Sequence, residues 1–195
     1  MATATETAQL GRPSKVDGAG VATRERLLAA AAASCVENGF DGATLGDIAR
    51  RADVSAPAIY NHFGGKIELM VAAGRDALSR LGPAERGSRP TASQTVRAFM
   101  ADEFATTRRL LAELHLAGQR QPELGALLAD WHVAQAGGWR PKAGRDRDAT
   151  VKMFFTVLLG ICQIESLSAV TASKASMMRQ AEALVAALFP EEEFS

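Results

Sequence analysis

The chain lacks an excess of charge of either sign: 22 Lys and Arg balance 22 Asp and Glu among 195 residues. Bulk electrostatics therefore give no reason to expect nucleic acid. The first 66 residues are balanced too, with seven basic and seven acidic side chains. Any affinity for a polyanion has to come from placement. Cysteine is scarce: Cys35 and Cys162 are far apart, each among apolar neighbours. That pattern predicts two reduced core thiols in a cytoplasmic protein rather than a disulfide framework. Long apolar runs are missing as well. The longest, Met153 to Ile164, is too short for a membrane span and contains Gln163. The first fifteen residues hold no apolar run, which predicts no signal peptide.

The hallmarks of several chemistries are also missing. There is no Gly-rich phosphate loop, no Glu-x-x-His pair and no paired nucleophile and base. The three histidines lack cysteine or carboxylate neighbours at ligand spacing, so neither metal nor cofactor is expected. Period-two runs of β-branched residues are absent, and no repeat is found. What remains is helical patterning almost throughout, which predicts an all-α protein of about nine helices.

Residues 1–20 are small and polar, with Gly11, Pro13, Gly18 and Gly20, and predict a disordered arm. A first helix is expected from Thr23, as N-cap, to Asn38. Leu28, Ala32, Cys35 and Val36 form its apolar face, and Gly39 is the stop. A second helix starts at Thr44, where Thr44 and Asp47 make a capping pair. Ala52, Asp53 and Val54 form a tight turn. Ser55 caps a third helix, and Pro57 is tolerated in its first turn. A fourth runs from about Gly65 to Leu81. The stretch 82–90 is rich in Gly and Pro and reads as a linker. Further helices are expected at about 92–106, 107–118, 122–138, 146–170 and 174–189.

Two short capped helices joined by a three-residue turn form a helix-turn-helix. The segment TLGDIARRADVSAPAIYNHFGGK, residues 44–66, closely resembles the DNA-binding signature of the TetR family of repressors, and the resemblance extends over about residues 23–72. It implies a three-helix DNA-binding domain at 21–66, then a helical ligand-binding and dimerisation bundle at 67–195. Beyond residue 72 only length and helical layout are similar.

The residues themselves suit that role. The first turns of a recognition helix enter the major groove, and here they carry Ser55, Ala56, Pro57, Ala58 and Asn61. The alanines and the proline donate no hydrogen bond, but they can pack on thymine methyls, while Asn61 can pair with adenine. The resemblance implies phosphate contacts for Thr44, Tyr60, His62 and Lys66. The start of the fourth helix, at Gly65, offers amides suited to an anion. Arg12, in Gly11-Arg12-Pro13, either enters a narrow minor groove or belongs to a free tail.

The resemblance further implies a homodimer built from the last two helices. Val151, Phe154, Leu158, Cys162, Met177, Ala181, Leu184 and Leu188 are the interface candidates. It implies too a small-molecule effector in the middle of the bundle, lipophilic or acyl-type. Phe99, Phe104, His115, Trp131, Phe155 and Gln163 are candidate pocket residues, with His132 and Trp139 nearby in sequence. The expected partners are therefore double-stranded DNA, a second copy of the chain and an effector, with no membrane. A DNA-binding regulator without a ligand and a helical-bundle enzyme stand as alternatives.

Overall fold

The computed structural model describes residues 15–81, 91–165 and 173–189, with side chains from residue 20 onward and none at residue 165. The described residues contain nine α-helices and no strand: α1 (Lys15–Gly42), α2 (Leu45–Arg51), α3 (Ala56–Ile59), α4 (Lys66–Ser79), α5 (Ala92–Met100), α6 (Ala105–Gly118), α7 (Pro122–Ala136), α8 (Arg147–Glu165) and α9 (Lys174–Leu188). None is long and apolar enough to cross a membrane. Arg12, the 82–90 stretch and residues 166–170 lie outside the described residues.

Helix α1 begins eight residues earlier than expected. Thr23 is not a cap. Its Oγ1 accepts from the Arg26 guanidinium at 3.4 Å, and the helix runs through it despite Gly18 and Gly20. The buried stripe is also rotated. Leu27, Ala31, Ser34 and Cys35 are almost completely enclosed, while Ala32 and Val36 are only half-buried. Gly39 has φ 71, a value that favours glycine, and it breaks α1 where a stop was expected.

Burial holds Cys35 as a thiol, with its pKa pushed up to about 12; the Glu113 carboxylate adds to the shift and Lys66 opposes it.

The expected helices at 92–106 and 107–118 are redrawn. Thr91 and Gln94 cap α5 reciprocally, and α5 ends at Met100. A single 3-10 turn, Asp102–Phe104, intervenes before α6. The cause is Arg108, which is 1% exposed. Its Nη1 donates to the carbonyls of Phe99 at 2.6 Å and Ala101 at 2.8 Å. The end of α5 leaves the Phe99 carbonyl open and favours a cation there, while the Ala101 carbonyl also accepts the Phe104 N–H at 3.1 Å.

Helix α6 runs through the middle. It packs on α1, α4, α7 and α8. At its end Gly118 passes Gly125 of α7 with no side chain between the two backbones. Glu113 of α6 accepts the Phe40 N–H at 3.4 Å, and Arg120 pairs with Asp41 at 2.6 Å. The corner after Gly39 is thus fastened to the bundle.

Candidate nucleic-acid interface

Helices α2 and α3 are held on the body by few side chains. Ile48, Ala49, Ala52, Ile59 and Phe63 are buried, and Leu45 is half-buried. Thr44 caps α2 as expected: its Oγ1 accepts the Asp47 N–H at 3.1 Å and its hydroxyl donates to Asp47 Oδ2 at 2.7 Å. That bond, with a second from Arg50, holds the Asp47 carboxyl below the usual carboxylate range. The turn residue Asp53 has φ 54, the left-handed conformation that links the two helices.

Ser55 is the residue before α3, but its side chain makes no capping bond, so its hydroxyl is exposed and uncommitted there. Helix α3 has only four residues. Its turn is prolonged by bonds from the His62 and Phe63 amides to the Ile59 carbonyl, both 2.9 Å. With Ile59 and Phe63 facing inward, Ser55, Ala56, Pro57 and Asn61 are exposed, and Ala58 is half-buried. Tyr60 is 62% exposed. Its ring lies largely in water rather than in the packing that holds the segment.

Other candidates are less free. Lys66 Nζ donates to the Asp41 carbonyl at 3.1 Å and lies 4.6 Å from the Phe40 ring centroid. It first staples α4 to the end of α1, and a phosphate contact would come on top of that. The expected anion seat at the start of α4 is filled by Glu68, whose carboxylate accepts the Gly64 N–H at 2.7 Å. His62 is half-buried against Phe63. Arg50 pairs with Asp47 at 2.8 Å and Arg51 with Glu37. Sequence reasoning missed Arg24, whose guanidinium lies 5.3 Å from the Phe63 ring centroid beside the head. Nothing local in the sequence marks it.

This geometry has relatives. Residues 27–73 match the family of bacterial regulatory proteins, tetR family. That segment, about a quarter of the chain, carries the helix-turn-helix of the TetR family. The HTH-type transcriptional regulator SrpR of Pseudomonas putida is 46% identical over 50 residues, 26% of this chain and 24% of that protein. The HTH-type transcriptional activator FasR of Mycolicibacterium smegmatis is 45% identical over 49 residues, 25% of this chain and 22% of that protein. The chain thus spans about a quarter of the length of these relatives. The fold as a whole is similar to that of a Rhodococcus sp. chain assigned to the TetR-family regulators. The TM-score is 0.70 at 20% identity, with 84% of this chain and 96% of that one covered.

Past the TetR head, the bundle holds a small cavity of about 20 Å³. Phe99, His115, Trp131 and Phe155 line it, together with His132, Leu158 and Cys162. Phe104 does not line it; it stands before α6, partly buried against the core. Gln163 is exposed, one residue past the buried Cys162, so it faces away. His115 Nε2 and His132 Nε2 are 3.4 Å apart, and His115 Nδ1 lies 2.7 Å from the Leu111 carbonyl oxygen. Burial lowers the pKa of both rings. For His132 it falls to about 4, helped by its neighbour, so both are uncharged at neutral pH.

The expected dimer residues divide in two. Phe154, Leu158, Cys162, Ala181 and Leu188 are buried within the single chain, so a partner cannot reach them. Val151, Met177 and Leu184 are partly buried. The five buried side chains face the chain's own core. On α8 the apolar side chains left outward are Met153, 57% exposed, and Ile164, 44% exposed. Val157 and Ile161 fill the stripe between them, where Gly160 has open space above it.

Proposed function

We propose that this chain is a transcriptional regulator that grips an operator through α3 and does so as a homodimer. The observation that carries the reading is the exposed face of Ser55, Ala56, Pro57, Tyr60 and Asn61 on a segment anchored by Ile59 and Phe63. Ser55, Asn61, Ala56 and Pro57 meet base edges. Tyr60, Thr44 and His62 meet phosphates, with Lys66 adding to them. So short a helix reads few bases. Two copies related by a two-fold axis read half-sites about 34–36 Å apart. The outward stripe from Met153 to Ile164 is the surface that supports a second copy, and it replaces the buried residues first expected there.

Within this reading the cavity between α5, α6, α7 and α8 takes a small lipophilic effector, which binds one arrangement of the bundle better and changes the spacing of the two heads. Helix α6 supports such coupling, since it carries His115 into the cavity wall and Glu113 to the Phe40 amide. The effector releases the operator, so the chain represses, and it works in the cytoplasm, where the DNA is.

The test is fluorescence anisotropy on duplexes selected from a random pool, at fixed salt, with sedimentation equilibrium alongside. Sequence-dependent binding by a dimer is expected. A folded monomer with no sequence preference refutes the reading. A reporter gene behind the selected operator distinguishes repression from activation.

A further inference from the structure

The hydrogen bonds around the cavity fix which atoms of the two histidines carry protons. A carbonyl oxygen only accepts, so His115 holds its proton on Nδ1 and donates it to Leu111. Its Nε2 is then an acceptor. His132 must carry its proton on Nε2 to make the 3.4 Å contact. Its Nδ1 lone pair is left as the open acceptor of the pair. Burial keeps both rings uncharged at neutral pH, so the pair presents an acceptor rather than a cation.

The rest of the wall is apolar, with the rings of Phe99, Trp131 and Phe155 beside Leu111, Leu158, Leu159 and Cys162. The His132 ring stacks on Phe155 with centroids 4.2 Å apart, and Trp131 meets Phe155 edge-on at 5.7 Å. No Lys, Arg, Asp or Glu lines the cavity. A carboxylate brought here would lose its hydration with no cation to replace it. An acceptor-only group, such as an ester or thioester, would meet another acceptor at His132. A hydroxyl on an aromatic ring would find both a partner and faces to stack on.

We propose, resting on the reading of this cavity as the effector site, that its ligand is a flat, uncharged, phenol-like aromatic molecule whose hydroxyl donates to His132. The acyl end of the broader lipophilic class is thereby set aside. The cavity has room for about one water molecule as it stands. A ring therefore enters by parting the wall, and half-buried Trp131 reports it.

The experiment is isothermal titration calorimetry on the full chain at pH 7 with 2-naphthol, 2-methoxynaphthalene and 2-naphthoate, repeated on His132→Phe. 2-Naphthol should bind about tenfold more tightly than either of the others, the size of one net hydrogen bond. In His132→Phe it should fall to the level of 2-methoxynaphthalene, whose own affinity is unchanged and so vouches for the fold. Equal affinity of the wild-type chain for all three, or preference for the naphthoate, overturns the ligand class and leaves the cavity reading intact. Failure of all three to bind, with tryptophan emission unmoved, overturns the cavity reading and this assignment with it.

Discussion

Gly118 in α6 and Gly125 in α7 meet backbone to backbone: a Cβ on Gly125 would lie 2.9 Å from the Gly118 carbonyl oxygen. Neither backbone can yield as a flexible side chain would. The same two helices carry His115 and His132 into the cavity wall. Gly125→Val should destabilise the chain by about 1–3 kcal/mol, as overpacking does. Thermal unfolding followed by circular dichroism measures it. An unchanged Tm would mean that the helices do not cross this closely.

Asp53 holds the turn between α2 and α3 at φ 54. Aspartate tolerates this region; a β-branched side chain does not. Asp53→Val should cost about 1–2 kcal/mol, whereas Asp53→Gly should not destabilise. Urea titrations of the two variants give the comparison. Equal loss from both would remove the left-handed turn from the account.

Cys35 is fully buried and its thiol is pushed up to about 12. The thiolate is the reactive form, so Cys35 should not react with Ellman's reagent at pH 8 in the folded chain. Cys162, 4% exposed, should react slowly. Both should titrate at once in guanidinium. Rapid modification of Cys35 in the native protein would contradict its place in the core.

His132 ties stability to pH. Its folded pKa, about 4, lies below the ordinary 6.5, with His115 lowered alongside. Protons therefore bind the unfolded chain more readily. The stability from keeping this ring neutral is present above about pH 6.5 and is lost as pH falls toward 4. Urea midpoints at pH 7 and pH 5 should show a smaller fall for His132→Phe than for the wild-type chain. Identical falls would place the ring in water.

The head was legible because its signals are local. Thr44 with Asp47, the three-residue turn and Pro57 each bias their own few residues. The TetR resemblance rests on those same positions. What failed depends on partners distant in sequence. The break after Met100 is caused by Arg108 reaching back to two carbonyls, which no periodicity announces. Lys66 looked free because Phe40 and Asp41 are 25 residues or so away from it. Helix α8 is apolar around most of its girth, so its pattern could not say which side faces the chain's own core. Phe154 and Cys162 went inward, and Met153 and Ile164 went outward. Gln163 was placed in the cavity for its polarity, yet one residue of helical rotation decided otherwise.

The central claim is that α3 reads DNA. Tyr60 is 62% exposed, so Tyr60→Ala should fold with little change in Tm. The decisive measurement is anisotropy of wild-type, Tyr60→Ala and Asn61→Ala chains on the selected operator and on a one-base variant of each half-site, at one salt concentration. Tyr60→Ala should weaken binding to both duplexes alike, and Asn61→Ala should shrink the difference between them, by about 1–3 kcal/mol for a lost base contact. If both folded variants bind both duplexes as the wild-type chain does, α3 is not the reading element.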